Sequence, residues 1–284
     1  IQFKTFSNEH PPNFIIAKPK YIPVREVYCK NLLITNIFNQ EFNRLNFWSD
    51  KKELRYYLDF FSRSYPNYRI FSKDHMNWFF AIPRNKIKQI FDPKEGLKKL
   101  FFSPEQKDPH IKNSMDFVKL LLKSGVTIEN LGITFSTLVG YHDPKYSDIN
   151  IVIYGKENAW KILNFLNSCS HPSLRWKTKV EWDLFRKKRN RYKFFTQEEF
   201  SDQMGRKKTE GFFNETLFVL FPVEKEGGTW QTWGSEICEP LGVAEVEGTV
   251  TDNSESLFRP GRYKIKNSRV LSGESVSVSQ VVFY

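Results

Sequence analysis

GITFSTLVGYHDPKYSDINIVIYG, residues 132–155, is the stretch that decides the fold. Leu131-Gly132-Ile133-Thr134-Phe135 is a short apolar run of strand length, and Ser136 to His142 fits one or two helical turns before Asp143-Pro144 breaks them. Asp148-Ile149-Asn150-Ile151-Val152-Ile153-Tyr154 reads as a second strand, almost continuously apolar apart from its first polar pair, and Gly155 ends it. Glu157 to Cys169 then places Trp160, Leu163 and Leu166 along one helical stripe. Strand, turn, strand and helix within about forty residues predict an α/β (α+β) fold with a mixed sheet flanked by helices.

Working outward, a helix over about Asn113–Lys123 shows Phe117, Leu120 and Leu121 on one face and closes at Ser124-Gly125. Further upstream, Leu54, Tyr57, Leu58 and Phe61 recur at helical spacing after an N-cap at Ser49-Asp50, and Pro66 ends that helix. Phe91-Asp92-Pro93 and Ile82-Pro83-Arg84 punctuate a linker, with a short helix near Glu95–Phe101. The first 45 residues read as short strands, Phe14–Ala17 and Val24–Tyr28, among prolines 11, 12, 19 and 23. Downstream, Thr216–Pro222 (TLFVLFP) is a buried strand, and beyond Cys238 period-two alternation replaces helical spacing. The expected organisation is an N-terminal α/β extension (1–110), a core (111–235) and a small C-terminal β module (236–284).

The decisive stretch resembles the polymerase-β-type nucleotidyltransferase superfamily, and more closely a family of predicted nucleotidyltransferases of archaea. That family carries a Gly-Val-Thr-Gly-Ser stretch, a Gly-x-His-x-Pro turn, then Ser-Asp-Ile-Asp with an apolar tail ending in Tyr-Gly. Here the matching residues run from Gly132 to Ser136, through Gly140-Tyr141-His142-Asp143-Pro144, to Ser147-Asp148-Ile149-Asn150 and Tyr154-Gly155. The likeness extends to His10-Pro11-Pro12, to Ile82-Pro83-Arg84, and to Phe258-Arg259-Pro260 with Tyr263.

The resemblance implies a polymerase-β-like core with nucleotide-binding groups at Thr134 and Ser136, where backbone N–H groups at a helix start take phosphate. It implies catalytic positions at Asp148 and Asn150, on one face of a strand. Asp148 is the implied metal ligand, and the implied cofactor is Mg²⁺ if the enzyme is active and none otherwise. Two positions depart from the pattern. Phe135 replaces glycine where phosphate needs close approach, and Asn150 replaces the second aspartate with a neutral amide. Glu215, at the mouth of the TLFVLFP strand, is the candidate third acid. Ser136 is also readable as an N-cap, and His142 reads as a turn residue bonded to backbone rather than as a ligand or base.

The other feature is the basic run Arg186-Lys187-Lys188-Arg189-Asn190-Arg191-Tyr192-Lys193, interleaved with Phe185, Tyr192, Phe194 and Phe195. Arg186, Lys187, Lys188, Arg189, Arg191 and Lys193 are candidate contacts to a phosphate backbone, and a solvated helix face with inward aromatics is the competing reading. Net charge is +11, a field that draws polyanions. Cys29, Cys169 and Cys238 have neither zinc nor disulfide spacing, and no apolar run approaches bilayer length. The expected partners are RNA or a ribonucleoprotein, with NTP as a further ligand and no membrane, in the cytoplasm. Two functions stay open: a catalytically degenerate RNA-binding protein, or an active Mg²⁺-dependent enzyme moving NMP from NTP to a hydroxyl.

Overall fold

The computed structural model describes residues 1–5, 9–26, 33–37, 39–44, 51–103, 107–188, 192, 195–229 and 232–283. In chain order its elements are β1 (Gln2–Lys4), β2 (Phe14–Ile16), β3 (Lys18–Pro23), β4 (Leu33–Ile37), β5 (Gln40–Arg44), α1 (Lys51–Ser64), β6 (Arg69–Ser72), β7 (Asn77–Pro83), α2 (Pro93–Phe101), α3 (Pro109–Leu122), β8 (Leu131–Ile133), α4 (Phe135–Val139), β9 (Ile149–Tyr154), α5 (Lys156–Ser168), β10 (Leu174–Trp176), α6 (Lys179–Lys187), α7 (Gln197–Lys207), β11 (Glu210–Phe213), β12 (Thr216–Val223), β13 (Ala244–Asp252), β14 (Gly261–Gly273) and β15 (Gln280–Phe283). Among the described residues, helices and four sheets together make the fold α+β. Tertiary contacts divide the chain into two compact units, residues 91–222, and residues 1–90 together with 223–284. The segments 1–110, 111–235 and 236–284 divide it differently, because α2 groups with the middle of the chain and both ends group with each other.

In the unit 91–222, five strands lie in the order β10-β11-β12-β9-β8, with β8–β9, β10–β11 and β11–β12 antiparallel. Ile149, Ile151 and Ile153 of β9 are fully buried, and Asn150 and Val152 on its other face are buried too. Phe117 and Leu121 of α3, Leu166 of α5 and Phe218 of β12 are fully buried in the same unit. Helix starts are made locally. Asp92 accepts from the N–H groups of Lys94 and Glu95, with Pro93 opening α2, and Asp108 accepts from Ile111, with Pro109 opening α3. The Asp92-Pro93 pair that reads as linker punctuation is therefore a helix start, and with Pro109 opening α3 that helix begins four residues before the expected Asn113.

The helix at α1 forms where the spacing places it, with Phe61 fully buried; its expected cap, Ser49-Asp50, lies outside the described residues. In the same unit, sheets β1-β3-β5-β4 and β2-β7-β6 precede the three-stranded β13-β14-β15 sheet, which is the expected small β module. The strand expected over Val24–Tyr28 falls instead on β3, and Val24–Glu26 form a turn; residues 27 and 28 lie outside the described residues. Pro19 is tolerated in β3 because its register partner Phe3 sits at an irregularity in β1. The described residues contain no helix long and apolar enough to cross a membrane.

Candidate functional site

The strand–turn–strand from β8 to β9 gathers Thr134, Ser136, Asp148 and Asn150 at one end of the five-stranded sheet. Thr134 donates its N–H to the Asn150 carbonyl at 3.1 Å, and Ser136 Oγ donates to Ser147 Oγ at 3.3 Å. Ser147 Oγ also accepts the N–H of Asp143 at 2.9 Å, which closes the intervening turn. Ser136 is thus no N-cap: Thr134 holds that position, without a side-chain cap bond.

Phe135 has φ of +58°, in the left-handed region that glycine enters freely and other residues enter at a cost of about 1–2 kcal/mol. The turn keeps the backbone that glycine would supply, yet carries a ring, which packs edge-on against Phe221 of β12 at 5.3 Å. Gly132 serves packing. A Cβ there would lie 2.7 Å from Pro93 Cβ and 3.0 Å from the Pro93 carbonyl carbon, so this glycine lets α2 sit against β8. At five residues, α4 is too short to develop much of a dipole for phosphate.

Asn150 is 7% exposed, and its Nδ2 donates back to the Asp148 carbonyl at 3.0 Å. The two strands beside β9 are β8, with sequence LGI, and β12, with sequence TLFVLFPV. Neither contains a carboxylate. Glu215 does not fill the gap. With Asn214 it forms the two-residue β11–β12 turn, at φ of +59° and +45°, the geometry of a hairpin connection. It lies six positions from Phe221, about 20 Å along a strand, at the end of β12 remote from Phe135. Its carboxylate is held by Arg175 at 2.8–3.0 Å, and Arg175 also reaches Glu181 at 3.1 Å. The described residues hold no group of three His, Cys, Asp or Glu side chains arranged for a metal.

Next to this turn sits a pair that the sequence does not announce. His142 Nε2 lies 3.1 Å from Asp108 Oδ2 and His110 Nε2 lies 2.9 Å from Thr137 Oγ1, with the two rings stacked at 5.1 Å. His142 therefore pairs with a side chain 34 positions away, not with local backbone. Burial, and then the neighbouring His142, hold His110 below the usual imidazole range, with Asp108 opposing. Although partial burial works the other way, the Ile111 N–H and His142 keep the Asp108 carboxyl low.

The basic run behaves differently from an open track. Arg186 at the end of α6 donates to Asp183 Oδ1 at 3.0 Å and to the Phe195 carbonyl at 3.2 Å, and Lys187 lies 2.6 Å from Asp183. Phe185, Tyr192, Phe195 and Trp182 gather around buried Phe200 of α7. Lys187 and Lys188 remain exposed, while Arg189, Arg191, Lys193 and Phe194 lie outside the described residues. The outlying segments His10-Pro11-Pro12 and Ile82-Pro83-Arg84 meet through β2 and β7: Arg84 Nε donates to the Pro12 carbonyl at 2.9 Å and its N–H to Asn13 at 3.1 Å.

No family model matches the chain. It is similar to an uncharacterized protein, MJ1086, of the archaeon Methanocaldococcus jannaschii. The two are 26% identical over 267 residues, 94% of this chain and 77% of that protein. No solved structure matches.

Proposed function

We propose that this chain is a nucleotidyltransferase-type protein that has lost nucleotidyl transfer and binds RNA or a ribonucleoprotein through cationic surface. The observation that carries the reading is the carboxylate deficit around β9. Two Mg²⁺ ions need several carboxylates on adjoining strands. Here Asp148 stands beside an amide that is folded back onto its own strand, and neither β8 nor β12 contributes an acid. That donor set does not fit a two-metal centre, so no catalytic step is assigned to one. Phe135 favours the same reading, because a ring and a β-carbon occupy the turn that would approach phosphate. The RNA partner is supported by the net charge of +11, which favours a polyanion.

Restoration tests the reading. In the full chain, Asn150→Asp combined with Phe135→Gly returns both departures to the family pattern, and Mg²⁺-dependent ATP and UTP binding is followed by calorimetry. The expected result is no Mg²⁺-dependent binding by the native protein and measurable binding by the double variant. Native binding of Mg²⁺–NTP would overturn the loss of the site. A folded double variant that binds no better than the native protein would remove the claim that this turn was a nucleotide site.

A further inference from the structure

Near the turn of the β6–β7 hairpin two large aromatic side chains face solvent. Trp78 is 56% and Phe71 44% exposed, and they are direct partners in an unbroken register, Arg69↔Phe80, Ile70↔Phe79, Phe71↔Trp78 and Ser72↔Asn77. Side chains two apart on a strand leave the same face, so Arg69 and Phe71 of β6 share a face with Trp78 and Phe80 of β7. Away from the turn, that face is covered: Phe80 packs edge-on against fully buried Phe61 of α1 at 5.4 Å. Toward the turn it is open. There the Phe71 and Trp78 rings meet at 5.5 Å, and the Arg69 guanidinium lies 4.6 Å over the indole.

The opposite side holds this surface in place. Ser72 Oγ lies 2.9 Å from His75 Nδ1 and accepts the His75 N–H at 3.3 Å. Trp233 lies against His75 at 5.0 Å and against Phe79 at 5.5 Å. Charge is one-sided as well. Residues 69–88 contain the cations Arg69, Lys73, Arg84, Lys86 and Lys88 and a single carboxylate, Asp74, whose Oδ2 lies toward Gly234. Lys73 is exposed, and among the described residues neither Arg69 nor Lys73 has a carboxylate partner.

An apolar protein or lipid surface laid on these rings would desolvate the Arg69 guanidinium without supplying an anion, which is costly. An unpaired nucleotide supplies both halves of what the surface lacks. Its base stacks on an aromatic face, and its phosphate accepts hydrogen bonds from the guanidinium beside that face. We propose that Trp78 and Phe71 form a stacking platform for unpaired bases of a single-stranded nucleic acid, with Arg69 and Lys73 taking the adjoining phosphates. RNA and single-stranded DNA share this chemistry. The RNA form rests on the function proposed above; the DNA form does not.

The test uses the full chain, with a labelled uridine oligonucleotide, a thymidine deoxyoligonucleotide of equal length, duplex RNA and heparin as probes. Circular dichroism verifies folding of Trp78→Leu, Trp78→Phe, Phe71→Leu and Arg69→Gln. Removing one base–aromatic stack should weaken single-strand binding by about five- to a hundredfold in Trp78→Leu. Its salt slope and its heparin affinity should stay those of the native chain. Phe71→Leu should weaken single-strand binding in the same selective way, and Trp78→Phe should keep most of the affinity. Arg69→Gln should lower the salt slope by about 0.7. Indole emission quenched by the oligonucleotide in the native chain should be quenched less in Trp78→Phe. Folded Trp78→Leu and Phe71→Leu that bind both single strands as the native chain does would overturn the platform and leave the RNA reading standing. Binding of duplex RNA alone would do the same. Trp78-dependent binding of the deoxyoligonucleotide with no binding of either RNA would keep the platform and overturn the RNA reading. A chain that binds none of the nucleic acids overturns both.

Discussion

Replacing Phe135 by glycine and, separately, by alanine isolates the backbone of the turn from its ring. Both substitutions delete the edge-on contact with Phe221, worth about 1 kcal/mol for an aromatic pair, so both weaken the fold and that loss cancels between them. What remains is the conformation at φ of +58°. Alanine there bears a left-handed cost of about 1–2 kcal/mol, partly offset by the greater entropy glycine loses on folding, about 0.5–1 kcal/mol. The glycine variant should therefore be more stable than the alanine variant by about 1 kcal/mol. In an ordinary helical position the order is opposite, alanine leading by about 1 kcal/mol. The sign is thus diagnostic even where the magnitude is coarse. Urea unfolding of the two variants, compared at equal slope, reads the difference in midpoints. Equal stability, or alanine ahead, would refute a left-handed backbone at this position and with it the claim that the turn keeps glycine's geometry around a phenylalanine.

Gly132→Ala should destabilise by about 1–3 kcal/mol, because its β-carbon would meet Pro93 at 2.7 Å; thermal unfolding measures it, and an unchanged midpoint would separate α2 from β8. Lys4 and Lys20 have folded values near 7, well below the unfolded lysine value. The unfolded chain therefore holds more protons between about pH 7 and 10, and stability should rise with pH across that window. Lys4→Met/Lys20→Met should flatten that rise, read from unfolding midpoints against pH. His110 is likewise held below its ordinary value by burial and His142, so stability should fall as pH drops through and below about 6.5. His110→Leu should weaken that dependence; an unchanged acid limb would place the titration elsewhere.

Residues 131–169 were legible because their apolar runs are short, punctuated and of the right length, and β8, α4, β9 and α5 form where those runs lie. Asp92-Pro93 misled because the same pair that punctuates a linker also opens a helix, with aspartate capping and proline first, and Asp108-Pro109, which does the same for α3, was passed over. The β6–β7 hairpin went unread since its turn, Lys73-Asp74-His75-Met76, contains no glycine; Met76 takes the positive φ of 47° itself. The candidate site was legible in its local half only. Thr134, Ser136, Asp148 and Asn150 are brought together by one turn of chain, whereas the stacking of His142 on His110 and the capture of Glu215 by Arg175 join residues 30–40 positions apart. Asp183 sits one turn before Arg186, and that spacing was available as a signal that the run's first cation would fold inward.

The central claim is tested most directly by measuring binding of the native chain to labelled single-stranded RNA and to labelled NTP, with and without Mg²⁺, across a salt series. The account predicts an RNA binding constant whose logarithm falls linearly with log salt, with a slope of about −0.7 for each phosphate contacted, and no Mg²⁺-dependent NTP binding. Mg²⁺-dependent NTP binding, with RNA affinity absent or indifferent to salt, would contradict it.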